Sequence, residues 1–172
     1  MPEPTTTAAQ ENVEALVEHT RALVDIDRTR NQHADVRAGG LALLANGLLA
    51  VAATFGPRVT AGRTAHDPLL VVYGAGLLLL LFAGASAAMT LWRSARPVFA
   101  LGRVGDYADS AKHHADPLAL HRELLGGWIV ALSEERLVLD LKRKYLERGY
   151  AFFVGGLVTL VAVAVTLASG AT

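Results

Sequence analysis

No cysteine occurs among the 172 residues. Disulfide scaffolds, thiolate metal sites, thiol nucleophiles and thiol redox switches are therefore excluded. Net charge is missing as well, because sixteen Lys and Arg balance sixteen Asp and Glu. Without a global basic field the chain lacks what nucleic-acid binders use to collect phosphates, so no nucleic-acid polymer is expected as a partner. Charged residues make up 19% of the chain, against about 25% in soluble domains. The deficit is concentrated in three stretches that carry no charge at all, while hydrophobic residues reach 52% overall. That distribution is a membrane-protein signature.

The first uncharged stretch, AGGLALLANGLLAVAATF, covers residues 38–55 and is closed by Gly56-Pro57. A hydrocarbon core of about 30 Å needs about 20 residues at 1.5 Å each, so it is just long enough to cross. The second, residues 69–92, has an LLLLLF centre that is apolar all round a helix, as lipid contact requires. The third, residues 150–168, ends four residues before Thr172. These runs predict an all-α membrane protein with three transmembrane helices. The first run begins some 37 residues in, after a charged segment, which does not fit a removable signal peptide.

Lys and Arg set the expected orientation. Four precede the first span, two (Arg58 and Arg63) lie between spans one and two, and ten lie between spans two and three. The fourteen-to-two split places residues 1–37 and 93–149 in the cytoplasm and leaves the 56–68 loop and the 169–172 tail external. Trp92, Tyr145 and Tyr150 sit where interfacial anchors are expected.

In the cytoplasmic parts, Val13, Leu16, Val17, Thr20, Leu23 and Val24 share one helical face, and nothing breaks a helix between Ala8 and Ala34. This helix is expected to run into span one after a frayed MPEPTTT start. Beyond Arg96-Pro97 a loosely ordered connection is expected up to Pro117, then a long helix from Leu118 to Arg148 leading into span three. Leu118, Leu125, Leu132, Leu139 and Leu146 recur every seven residues in it. The positions three further on are His121, Trp128, Glu135 and Lys142, so the heptad seam is imperfect. It can serve packing against the amino-terminal helix or self-association. Two parallel helical extensions of spans one and three would form a cytoplasmic stalk.

Site chemistry is sparse. No span holds an acidic, basic or histidine side chain, which removes the relays that ion-coupled transport needs. No serine-histidine-acid order or Gly-rich phosphate loop occurs, and Glu134 and Glu135 are adjacent on a helix and point apart. An enzyme is not expected, nor is a cofactor. His113, His114, Asp116, His121 and Glu123 lack an accepted metal spacing and read as a solvated connection, with no metal expected. Asn46 lies at the centre of span one in a small-residue row with Ala42 and Ala50. An amide in hydrocarbon wants a partner, so the row marks a helix contact: static packing, a contact that rearranges on activation, or an oligomer interface. Similar small faces occur at Ala83, Ala87 and Thr90 and at Gly155, Thr159, Ala162 and Thr166. Lys142, Arg143, Lys144 and Arg148, just before span three, read as a topology anchor that attracts anionic lipid, or as a contact for a nucleotide phosphate.

Residues 33–50, HADVRAGGLALLANGLLA, resemble the start of the first span in the Pycsar effector transmembrane proteins. There an Ala-Asp-x-Lys-Ala motif leads into a helix bearing Leu, Asn and Gly. Ala34, Asp35, Arg37 and Ala38 match the motif, with Arg37 in place of the lysine, a change that keeps the charge but alters donor geometry. Arg96-Pro97, the long helix reaching Lys144-Tyr145, and span three extend the likeness by architecture. The resemblance implies a bacterial inner-membrane antiphage effector, encoded beside a pyrimidine nucleotide cyclase, that responds to cyclic CMP or cyclic UMP by impairing the membrane. Asp35 and Arg37 are then the candidate gating or ligand-response residues, in a protein that forms homo-oligomers. From the residues alone, Asp35 and Arg37 do not face each other on a helix, so each is expected to meet a different partner. The alternative from the architecture is a structural or regulatory membrane protein that recruits a partner or self-associates through its cytoplasmic helices.

Overall fold

The computed structural model describes residues 6–62, 64, 67–94 and 117–170. Among them all regular structure is helical, in three long helices: α1 (Thr6–Thr60), α2 (Pro68–Ser94) and α3 (Pro117–Ala168). Each is long and apolar enough to cross a membrane. The Leu118 to Arg148 helix and span three are one element, and Gly126-Gly127 does not interrupt it. Likewise the charged amino-terminal helix and span one are one element. Thr6 and Thr7, expected to be frayed, are already helical. The connection around Arg96-Pro97 and the residues His113, His114 and Asp116 lie outside the described residues, as does the side chain of His121.

The helix ends follow local chemistry. The first span was expected to stop at Gly56-Pro57, yet α1 continues through Pro57 to Thr60. Pro57 lacks only its own N–H, and its carbonyl still accepts from the Ala61 amide at 3.1 Å, so one more turn closes. Gly62 then ends the helix at φ +69°, a conformation that side chains with a Cβ disfavour. Pro68 occupies the first position of α2, where its missing N–H is no loss. Asp67 caps that helix by accepting the Leu69 amide at 2.8 Å.

Packing divides the chain into two units, residues 1–33 with 95–140 and residues 34–94 with 141–172. In the first, Thr20, Val24, Asp27, Asn31 and Ala131 are buried. Leu16, grouped by spacing with the inner face, is half exposed, because the buried positions run 20, 24, 27 and 31 in steps of four and three, with Val17 partly buried ahead of them. In the second, one cluster joins Ala34, Ala38, Leu41, Ala87 and Leu146, and another joins Ala52, Val59, Tyr73 and Val163. On α2 the inward positions Tyr73, Gly76, Leu80, Ala83, Ala87 and Thr90 repeat the same alternation. This is the 3.5-residue period of knobs-into-holes packing.

Small residues let the helices of the second unit approach. A Cβ built on Gly149 would lie 2.8 Å from Leu41 Cδ2, and one on Gly156 would lie 3.1 Å from the Gly76 carbonyl oxygen. Outward, the candidate spans present large apolar side chains such as Leu43, Leu81, Phe82, Val154 and Val165. Water does not tolerate so continuous an apolar surface on a chain of this size, whereas lipid does.

Candidate functional site

The residues of the Ala-Asp-x-Arg-Ala motif divide cleanly between the faces of α1. Ala34 and Ala38 are buried in the first core cluster together with Leu41, Ala87 and Leu146. Asp35, one position off that seam, is half-buried, and its Oδ1 accepts a hydrogen bond from Lys142 Nζ on α3 at 2.9 Å. Arg37 points outward and is exposed. Asp35 and Arg37 thus have different surroundings, as their spacing requires.

Lys142 belongs to this arrangement. Among the described residues it is the largest fully buried side chain, only 2% exposed. Its four methylenes can pack among apolar neighbours while the ammonium meets the carboxylate, and the pairing is what makes its burial tolerable. The rest of the basic run differs: Arg143, Lys144 and Arg148 are exposed. Arg143 Nε also donates to Glu147 Oε1 at 2.8 Å, a pair open to solvent on both sides. Lys142 is therefore turned away from any headgroup or phosphate, while Lys144 and Arg148 remain available to one.

The small-residue row of span one does not act as a unit. Ala42 packs against the core cluster, but Asn46 and Ala50 face outward. By contrast Ala83, Ala87 and Thr90 are all fully buried.

In the first unit, two polar pairs join α1 and α3. Arg136 Nε donates to Asp27 Oδ2 at 3.2 Å, and Arg30 donates to Asp27 Oδ1 at 3.1 Å. Asn31 Nδ2 donates to Glu135 Oε2. Asp27 and Asn31 are both buried, and Asn31 Oδ1 has no hydrogen-bond partner among the described residues. Residue spacing alone did not mark Asp27 and Asn31. Extending the buried alternation of Ala34, Ala38 and Leu41 back by seven residues at a time lands on both.

A cavity of about 170 Å³ lies in the second unit, lined by Leu48, Phe55, Tyr73, Leu160, Leu167 and neighbouring apolar side chains. Its polar group, the Tyr73 hydroxyl, donates to the Ala52 carbonyl at 2.7 Å. With no charged lining, it suits a hydrocarbon group and not a phosphate.

No protein-family model matches the chain, and no curated protein or solved structure matches it either.

Proposed function

We propose that the chain is a multi-pass protein of a bacterial inner membrane that acts without catalysis, as an antiphage effector impairing the membrane when cyclic CMP or cyclic UMP is present. Its amino terminus and the 93–149 segment lie in the cytoplasm, where the helical extensions of spans one and three form a stalk, and its carboxyl terminus is external. The fourteen-to-two division of Lys and Arg supports that orientation. The nucleotide and the defence role rest on the likeness of residues 33–50 to the Pycsar effectors.

The observation that carries the reading is the Asp35–Lys142 pair. The one acidic residue of the motif is bound to a buried lysine of another helix, just ahead of the residues where both helices become apolar. A ligand that competes for either charge would release both helices together, and helices shift as units. The apolar cavity does not suit a nucleotide, so its phosphate would be met by exposed cations such as Arg37, Lys144 and Arg148.

The test is to express the chain in a bacterium with a membrane-potential dye, beside an active pyrimidine cyclase or an inactive one. Depolarisation that needs both the chain and the active cyclase, and that is lost in Asp35→Ala, is expected. A membrane-inserted chain that leaves the potential unchanged with either nucleotide overturns the effector reading.

One observation favours a second reading, recruitment of a partner through the cytoplasmic helices. In the first unit Leu16, Ile26, Ile129 and Leu137 are all about half exposed or more, and in water they would be apolar docking points. That reading expects a stable partner in mild detergent and no response to nucleotide.

A further inference from the structure

We propose that two copies of the chain associate in the membrane through the outer face of span one, with the Asn46 side chains hydrogen-bonded to each other. The proposal rests on residues 38–55 crossing the bilayer, and it names the partner that this span takes.

Asn46 stands eight residues after Ala38 and nine before Phe55, so it lies about 12 to 14 Å from either end of the span. It faces outward from the protomer, and no hydrogen bond of its side chain occurs among the described residues. An amide there has two donors and an acceptor in a medium that offers neither. Its side chain is too short to reach the headgroup region from that depth, unlike the long stems of Lys or Arg.

The surface around it is built for a close neighbour. Gly39, Leu43, Asn46, Ala50 and Ala53 alternate by four and three residues, a second heptad seam about 100° round the helix from the one used inside the protomer. A Cβ on Gly39, Gly40 or Gly47 would meet nothing within 4 Å, so the notches beside Asn46 are open. Leu43 is 76% exposed and supplies the knob that such notches accept.

A second copy fits this face better than any other occupant. Copies of one chain insert in the same direction, so every Asn46 arrives at the same depth without further adjustment. The amide is self-complementary: each side chain can give an N–H to the other's carbonyl oxygen, satisfying both at once. Lipid tails offer no such group.

Because the chain has no cysteine, single cysteines report the contact cleanly. The full-length protein, reconstituted alone in phosphatidylcholine vesicles, is oxidised with Ala50→Cys on the proposed face or with Leu44→Cys on an exposed position away from it. A disulfide dimer from Ala50→Cys and not from Leu44→Cys is expected. Asn46→Leu is expected to weaken association between about threefold and thirtyfold, measured by energy transfer between labelled copies, and Asn46→Gln to preserve it. Gly47→Ile fills a notch and should weaken association without touching the protomer. Helicity by circular dichroism should be unchanged in all of them, since each site faces outward. Equal cross-linking from both cysteines, or undiminished association of Asn46→Leu, overturns the interface. Carbonate extraction of the same membranes separates the two readings: an inserted monomer overturns the interface alone, and an extracted protein overturns the span too.

Discussion

Lys142 on α3 is almost completely buried, yet its ammonium lies 2.9 Å from Asp35 on α1, which keeps about a quarter of its own side-chain surface. The two members of this pair are therefore unequal. Removing the carboxylate strands a charge in the interior, while removing the lysine leaves a carboxylate that water can still reach. Asp35→Leu should cost about 3 to 5 kcal/mol, and Lys142→Met clearly less. Replacing both by apolar residues should bring stability back to within about 1 kcal/mol of the parent. Helicity lost on titration with a denaturing detergent would measure all three. If the motif also gates a response, the doubly apolar chain will fold but fail to depolarise cells, a result that a purely structural pair would not give.

The glycines of α3 are predicted to divide by what surrounds them. At Gly156 a Cβ would press on Leu80 and on the Gly76 carbonyl oxygen, and a backbone atom cannot swing aside as a side chain does. Gly156→Ala should therefore destabilise by about 1 to 3 kcal/mol through helix separation. At Gly126 a Cβ meets nothing within 4 Å. Gly126→Ala should stabilise by up to about 1 kcal/mol, the ordinary helix-propensity gain. Opposite shifts in thermal midpoint in the same detergent would bear this out, and a loss at both sites would contradict it.

How much of this was legible in the sequence depends on which period carried the signal. The uncharged runs around Leu48, Leu80 and Val161 announced three apolar helices, because composition alone decides whether a segment can lie in lipid. The leucine stripe at 125, 132, 139 and 146 was a weaker guide. Of its described members only Leu146 is buried, and the α3 residues that meet α1 include Glu135 and Lys142, which the spacing marked as defects of the seam. They are seam residues because Asn31 and Asp35 wait opposite them. A polar residue in a heptad reads as a flaw until its partner on another helix is known, and no local pattern supplies that partner. Asn46 gave the reverse case: its spacing with Ala42 and Ala50 was plain, but which way the row faced depended on where α2 and α3 pack.

Asn31 offers a test of what a buried polar seam contributes. It donates to Glu135 but keeps its own carbonyl oxygen buried, with no partner among the described residues. An orphaned buried acceptor costs about 1 to 3 kcal/mol, more than one net hydrogen bond returns. Asn31→Leu combined with Glu135→Met should thus stabilise the chain by about 1 kcal/mol or more. What is lost should be specificity of register, the role for which a single seam Asn is best attested. Electron-spin distance measurements between labels at Arg28 and Glu134, both exposed, should show one narrow distribution in the parent and a broader or double one in the variant. A destabilised double variant would mean that the Asn31 carbonyl is satisfied by a group not described.

The orientation can be tested on the same cysteine-free background. Residues 56–68 carry Arg58 and Arg63 only, while ten Lys and Arg fall between spans two and three. Short flanks rich in Lys and Arg are held on the cytoplasmic side, and the difference here is too large for one or two substitutions to reverse. Thr60→Cys, at the exposed end of α1, should react with a membrane-impermeant maleimide in intact spheroplasts. Glu147→Cys, exposed on the charged turn before span three, should react only after the membrane is permeabilised. Both sites are open in the protomer, so burial cannot account for a difference between them. Labelling of Glu147→Cys in sealed spheroplasts, with Thr60→Cys protected, would invert the topology and move the Asp35–Lys142 pair away from any cytoplasmic ligand.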